Sequence, residues 1–438
     1  MKVKLYFLKV RCGSQLAVIF CLLASLLFPF AITSVHAEQT VLSGGVTLRQ
    51  DYDSNIDRSS RNERSEWQTA VSPFLLLTSQ GPDNSLSFRY APSVVYSHRT
   101  DNERIDHHLS ASLRKDLSQR LKTSFTDTFV RAEDPTTDED TDVGGVVLSD
   151  TRGRNMYWSN SFDAGLQYEY AKESRFNLSW QNQILDNNGS GQEDFVKNSP
   201  GFSVLHYFNT QWQTQVDATF TDGNFDQTDD LKRNTGNLFL YYSQTPTAKL
   251  FGHYGYSKTD YDGLQDDYSR QSISLGMIRQ QSATLDFRVE GGSVFLCRDE
   301  QSDKRELYYS LSLNQKTQKG SMHFTGAGGV DEQQFNGASD EGVSKYWSLK
   351  ANINRELSKD ISASIFCSYR RDTYLGQLAD QEKKKLQTGV TVSHTFWQWY
   401  VVSIKYIYSK QTTDNFDERY DDNRVMMEFS FVKDFFKW

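Results

Sequence analysis

The sequence predicts an all-β chain: a transmembrane antiparallel up-and-down β-barrel of about 20 strands, with about 18 as the alternative count, after a cleaved signal peptide. Three observations predict it. Apolar and polar residues alternate at period 2 along most of the chain, the pattern of strands with one greasy and one polar face. Short turns alternate with longer, charged connectors. Aromatics make up 13% of the 438 residues, yet hydrophobic residues reach only 37% and proline is scarce at 7. A soluble α/β enzyme would carry more buried Ala, Leu and Val, and a disordered chain fewer aromatics. No coiled-coil or collagen period is present, and no series of long apolar runs marks a polytopic helical protein.

The chain opens with Lys2, Lys4, Lys9 and Arg11, followed by an apolar run from Leu16 to Ile32. Val35-His36-Ala37 then places small residues at the positions that signal peptidase reads. We expect residues 1–37 to be a signal peptide and 38–438 the barrel. A single helical anchor is the competing reading, but no further apolar stretch after Ala37 is long enough to span as a helix. Cys21 lacks the small preceding residue of a lipidation site. Loss of four basic residues moves the net charge from −8 to −12, so the chain offers no basic face for nucleic acid.

Strands are read from alternation: Leu86-Phe88-Tyr90, Phe162-Ala164-Leu166-Tyr168-Tyr170, Phe176-Leu178-Trp180, Leu307-Tyr309-Leu311-Leu313, Trp347-Leu349-Ala351-Ile353, Ile361-Ala363-Ile365 and Tyr400-Val402-Ile404-Tyr406-Tyr408. Short turns fall at 81–84, 118–120, 171–174, 209–211, 245–248, 280–283, 315–320, 357–360 and 395–398. Between them lie longer connectors such as 53–65, 133–154, 186–194, 222–233 and 409–422. Nine turns and ten connectors imply 20 strands. Each strand then has ample length for the roughly 10 residues that a tilted span needs. The final strand, near Arg424–Val432, runs into Phe435-Phe436-Lys437-Trp438, an aromatic terminus of the kind the barrel assembly machinery reads.

Three features resist the scheme. Pro73, Pro92 and Pro200 fall within strands, where each forfeits a ladder hydrogen bond. Pro73 and Pro92 stand opposite one another, which we read as a bulge or bend, or as a shorter strand pair. Asp127 shares the lipid-facing parity of Leu121, Phe125 and Phe129, so it requires either an interfacial position or a register-shifting bulge.

No chemistry-bearing constellation emerges. The histidines lack metal or triad partners at a recognisable spacing, and His107 and His108 face opposite ways on a strand. We expect no enzyme, metal or cofactor. Cys297 and Cys367 lie on lipid-facing parity four strands apart, so no disulfide is expected. The connector 133–154 carries Asp134, Asp138, Glu139, Asp140 and Asp142, a candidate acidic constriction if it folds into the lumen and otherwise a solvated surface loop. Val143 stands where a calcium loop needs glycine, which argues against a calcium site.

At lumen parity stand Arg89, Arg114, Lys122, Asp163, Glu169, Gln181, Gln213, Asp217, Asp286, Arg288, Glu290, Lys350, Arg370, Lys405 and Glu428. Both signs occur among many Ser, Asn and Gln, whereas a strongly ion-selective pore would show one sign. Such walls suit a hydrated polymer or a salt-bridged structural lumen. A barrel of this strand number is roughly 40 Å across.

The run His108-Leu109-Ser110-Ala111-Ser112-Leu113-Arg114-Lys115-Asp116-Leu117-Ser118, continuing through Leu121–Phe129 to Arg131-Ala132-Glu133-Asp134-Pro135, resembles the putative beta-barrel porin 2 family. The resemblance is one of pattern over most of the chain after Ala37. It implies an outer-membrane protein, in lipid and lipopolysaccharide, related to barrels of exopolysaccharide and exosortase gene clusters. Some members are thought to complete polysaccharide export by docking on a periplasmic polysaccharide export protein. No catalytic residues carry over. The expected function is therefore an exopolysaccharide export channel. A general diffusion porin, or a structural barrel sheathing a periplasmic electron-carrier protein, is the alternative. An outer-membrane protease or lipase comes last.

Overall fold

Period-2 alternation becomes antiparallel strands in the computed structural model, which describes residues 39–61, 63–133, 155–188, 193–263, 266–298, 303–332, 343–375, 381–414 and 419–437. The strands are β1 (Gln39–Asp53), β2 (Glu66–Gln80), β3 (Asn84–Ser97), β4 (Asn102–Asp116), β5 (Leu121–Ala132), β6 (Tyr157–Ala171) and β7 (Ser174–Asn187). Next come β8 (Phe195–Tyr207), β9 (Trp212–Phe225), β10 (Leu231–Thr245), β11 (Ala248–Tyr261), β12 (Tyr268–Ser282), β13 (Leu285–Arg298) and β14 (Lys304–Thr317). The last are β15 (Gly320–Glu332), β16 (Val343–Glu356), β17 (Ile361–Leu375), β18 (Glu382–Phe396), β19 (Tyr400–Thr413) and β20 (Tyr420–Lys437). The count of 20 is the one the turns implied, not 18. The signal-peptide segment and the acidic residues Asp134, Asp138, Glu139, Asp140 and Asp142 lie outside the described residues.

Each strand pairs with its chain neighbours, and β1 pairs with β20 from Val41↔Lys437 to Asp53↔Arg424, closing the barrel. Closure leaves no free edge, which is what a strand-built membrane span requires. The apolar parity faces outward: Leu275 is 74% and Ile273 58% exposed on β12, flanking the buried Ser274 of the inner face. No helix among the described residues is long and apolar enough to cross a membrane, which says nothing of a β-barrel.

The nine turns at one end hold their expected places, but the other end does not consist of long connectors throughout. Strands β9 and β10 reach Phe225 and Leu231, leaving residues 226–230 between them, and residues 98–101 alone join β3 to β4. Strands of 12 to 18 residues outrun the membrane. Their ends lie beyond the lipid, so they can carry the Asp, Asn and Thr of a loop while keeping ladder bonds.

The prolines create no bulge. Strand β2 pairs with β3 up to Val71↔Val94 and resumes at Leu75↔Tyr90 in the same register. Across the gap the Ser72 hydroxyl donates to Ser93 Oγ at 2.7 Å. At Pro200 the β8–β9 ladder breaks between Asn198↔Asp222 and Gly201↔Thr219, and Ser199 and Thr221 share a hydroxyl bond of 3.0 Å. A side-chain bond bridges each place where proline has no N–H to give. Asp127 likewise needs no bulge. Both of its ladders run through without a shift, and Asn160 Nδ2 donates to its Oδ1 at 2.7 Å, so the buried carboxylate keeps its outward parity with an amide partner.

The wall is broken at one place. β14 and β15 pair from Thr317↔Gly320 only as far as Tyr309↔Gly328. Above that level β14 stays on β13, β15 stays on β16, and the two pairs part.

Candidate functional site

The candidate site is the inner wall, and the ladders place the expected lumen residues on it in three tiers. Near the turn end stand Arg114, Lys122, Glu169 and Asp286, with Gln213. Lys122 Nζ lies 2.8 Å from Asp116, Glu169 opposes Arg175, and Asn314 Nδ2 donates to Asp286 at 2.9 Å. Arg114 stands across from Ser85 and Ser124. In the same zone a cavity of about 350 Å³ is lined by Ser321, Asn354, Ser362, Ser364, Thr391 and Ser393, among others. Hydroxyls and amides this close together can trade bonds with a hydrated solute as it passes.

The middle tier holds Arg89, Asp163, Asp217, Arg288, Glu290, Lys350 and Lys405. Asp163 opposes Thr126 and Gln181; Asp217 accepts both 2.9 and 3.0 Å bonds from Gln215 Nε2. Lys350 faces Thr325 and Ser368, and Lys405 faces Thr391 and Met426. Arg288 and Glu290 form the densest knot. Arg288 Nη2 donates to Glu290 Oε2 at 3.0 Å, the Ser274 hydroxyl donates to Oε1 at 2.6 Å, and His253 Nδ1 lies 3.2 Å from the same oxygen. His253 Nε2 lies 3.1 Å from Asn237 Oδ1.

A serine, a histidine and a carboxylate thus meet, but not in the wiring of a hydrolase. Ser274 and Glu290 share the Nδ1 side of the ring, while Nε2 meets an amide oxygen. A triad needs nucleophile and acid on opposite nitrogens, so that the base takes a proton on one side while held by the other.

The outer tier contains Arg370, with Nη2 2.7 Å from Asp331 and 2.8 Å from Asp372, whereas Glu428, opposite Arg49 and Ser403, lies on the turn side of Lys405. Sequence reading did not include most of this tier: Asp51 with Arg424 (3.0 Å), Arg104 with Asp106 (3.2 Å) and Glu133 (2.9 Å), and Arg233 with Glu332 (3.3 Å). Asp51, Arg104, Asp106, Arg233 and Arg424 keep the lumen parity of their strands, so alternation followed out to the strand ends finds them. Glu133, just past the end of β5, and Glu332 are the exceptions in parity, the latter for the reason given below.

Arginines also lie over lumen aromatics: Arg89 over Phe74 at 5.0 Å, Arg288 over Phe251 at 4.5 Å and Arg370 over Tyr346 at 4.5 Å. Each cation is thereby held flat against the wall instead of projecting into the channel.

The lumen is not polar throughout, contrary to expectation. Val130, Ala132, Tyr157, Leu185 and Phe195 form one buried apolar cluster at the outer ends of β5–β8, and Tyr268, Val294, Leu296, Val330 and Val343 form a second. All but Val330 and Val343 stand on inner-face parity. Charge on the wall is mixed in sign, with some charges ion-paired, as at Arg288–Glu290 and Arg370–Asp372, and others met by amides, as at Asp217 and Asp286.

His107 and His108 occupy opposite faces of β4, as expected, His107 Nδ1 lying 2.9 Å from the Tyr90 hydroxyl. Cys297 and Cys367 are free, on β13 and β17. Among the described residues no group of His, Cys, Asp or Glu is disposed to hold a metal.

A closed barrel with a hydrated wall can be set beside known proteins. Residues 37–157 match the family described as Putative beta-barrel porin 2. Similar solved structures include the ferric enterobactin receptor of Pseudomonas aeruginosa, as a mutant bound to enterobactin. It has a TM-score of 0.51 and 6% identity over 90% of this chain and 81% of that one. The apoprotein form of the FrpB iron transporter of Neisseria meningitidis gives 0.51 and 8%, over 89% and 81%. OprD of Pseudomonas aeruginosa gives 0.39 and 9%, over 91% and 96%. No curated protein matches in sequence. The chain is a porin-like β-barrel with the fold of outer-membrane proteins.

Proposed function

We propose that the protein is an outer-membrane channel through which an exopolysaccharide leaves the cell, delivered by a periplasmic polysaccharide export protein. The observation that carries this reading is the composition of the inner wall. It mixes both signs, with part of the charge ion-paired in Lys122–Asp116, Arg288–Glu290 and Arg370–Asp372, and hydroxyls and amides line the turn end. A wall of that kind exchanges hydrogen bonds with successive sugar hydroxyls at little cost and holds no ion tightly. The family matched by residues 37–157 supports a porin-like role. Polymer movement would be passive here, driven from the inner membrane, and the barrel would do no chemistry.

The test is a clean deletion strain, with polysaccharide measured outside the cell and in the periplasm. Loss outside with accumulation inside is expected. Unchanged amounts in both compartments refute export of that polymer. A stable open conductance of the purified barrel without a partner would then favour a diffusion porin, and a co-purifying cytochrome would favour a sheath.

A further inference from the structure

The break between β14 and β15 has a sequel across the lumen. Above Gly328 the free edge of β15 curls into the lumen while β15 keeps its ladder to β16 and β16 its ladder to β17: Glu332 Oε2 lies 3.3 Å from Arg233 Nη1 on β10, and its Oε1 accepts a 3.0 Å bond from the Ser257 hydroxyl on β11. Those strands stand four and five places round the barrel from β15, so the outer end of β15 must lie across the inner faces of the strands between. Parity agrees. Val330 has the outward parity of Phe324, yet it is buried against the inward-facing Val294, Leu296 and Tyr268. A strand folded inward presents its former lipid face to the opposite stretch of wall. On β16, Val343 joins the same cluster, and Lys345 Nζ reaches Glu306 of β14 at 2.6 Å. The bend falls at Gly328-Gly329, where a Cβ on Gly328 would meet the Tyr309 ring at 2.5 Å and one on Gly329 the Tyr308 ring at 3.1 Å.

We infer that the outer ends of β15 and β16, Gly328–Glu332 and Val343–Tyr346, still laddered to the end of β17, form a flap, the inward-curled edge of the sheet, that closes part of the outer mouth from within. The flap has two resting places. Folded inward, it is held by a small apolar patch and by the Arg233–Glu332 and Lys345–Glu306 pairs. Returned to the wall, it would complete the β14–β15 ladder above Tyr309, recovering backbone bonds in exchange for those contacts. Exchange between two such sets of contacts of comparable size is what makes an element bistable. The gate is independent of which solute passes, so it stands or falls apart from the export reading.

The test uses the full-length barrel in planar bilayers and in intact cells, with correct folding checked by heat-modifiable migration. Arg233→Glu places a carboxylate opposite Glu332 and should release the flap; Arg233→Glu with Glu332→Arg should hold it again. We expect the single variant to raise mean conductance by about two-fold and the double variant to return it to the native level. In a Cys297→Ser, Cys367→Ser background, Val294→Cys lies beneath the flap and Ser110→Cys on open inner wall. A bulky maleimide added from outside should label Val294→Cys about ten-fold more slowly than Ser110→Cys. Equal labelling of the two sites overturns the proposal even if Arg233→Glu fails to fold. So does a folded Arg233→Glu barrel of unchanged conductance, or a double variant that does not revert.

Discussion

Two adjacent glycines on β13 should respond oppositely to the same change. A Cβ on Gly292 would collide with the carbonyl oxygen of Ile273 and come within 2.6 Å of the Ser274 Cα, both backbone atoms of β12. Ordinary carbon–carbon contact needs about 3.5–4.0 Å, so the strands would have to part by about 1 Å. Ladder spacing tolerates little of that, and overpacking of this kind costs about 1–3 kcal/mol, with about 1 kcal/mol more if a ladder bond is lost. On Gly291 the nearest atom to a new Cβ is the Tyr308 carbonyl oxygen at 3.9 Å, ordinary contact. There alanine should be neutral or stabilise by about 0.5 kcal/mol, because the unfolded chain loses freedom. The assay is guanidinium unfolding of the refolded barrel in lipid vesicles, followed by tryptophan fluorescence. We expect Gly292→Ala to fall about 2–4 kcal/mol below Gly291→Ala. Equal midpoints and slopes for the two variants would refute the close approach of β12 and β13.

Other outcomes follow from the same geometry. Ser93→Ala removes the hydroxyl bond that spans the proline gap and should cost about 1 kcal/mol by the same unfolding assay, whereas Ser93→Thr should retain it. Arg370→Ala leaves Asp331 and Asp372 without their shared cation, so the reversal potential under a salt gradient should shift towards cation preference. Cys367, exposed on the outer face of β17, should take up a lipid-soluble maleimide in intact membranes and resist a charged, impermeant one.

Much of the barrel was legible because its two requirements are written locally. A strand facing lipid on one side and water on the other must alternate, and a tight turn must interrupt that alternation. Both signals sit within a few residues, as at Phe176-Leu178-Trp180. Where strands leave the membrane the first requirement lapses, so in sequence 226–230 merges with the strand ends into the longer connector 222–233. The proline gaps were visible but their remedy was not, since Ser72 and Ser93 are 21 residues apart and are matched only by register. The knot at Glu290 was half seen: Arg288 and Glu290 share one strand, but His253 and Ser274 arrive from two others. The inward course of β15 had a hint in Gly326-Ala327-Gly328-Gly329, yet Val330 continues the lipid-facing parity and so looks like wall.

The pairing of β1 with β20 bears on how the barrel is made. Ser43 and Asp434 meet across 391 positions of chain, while the β10–β11 hairpin closes between Thr245 and Ala248. The cost of closure grows only with the logarithm of loop length, so the seam costs about 4 kcal/mol more than a hairpin, a sum that a ladder of this length readily offsets. Its difficulty is one of time. Contacts between distant segments form slowly, and until they do both terminal strands expose unpaired N–H and C=O groups. The last ladder to form is thus the one that turns an open, adhesive sheet into a sealed ring.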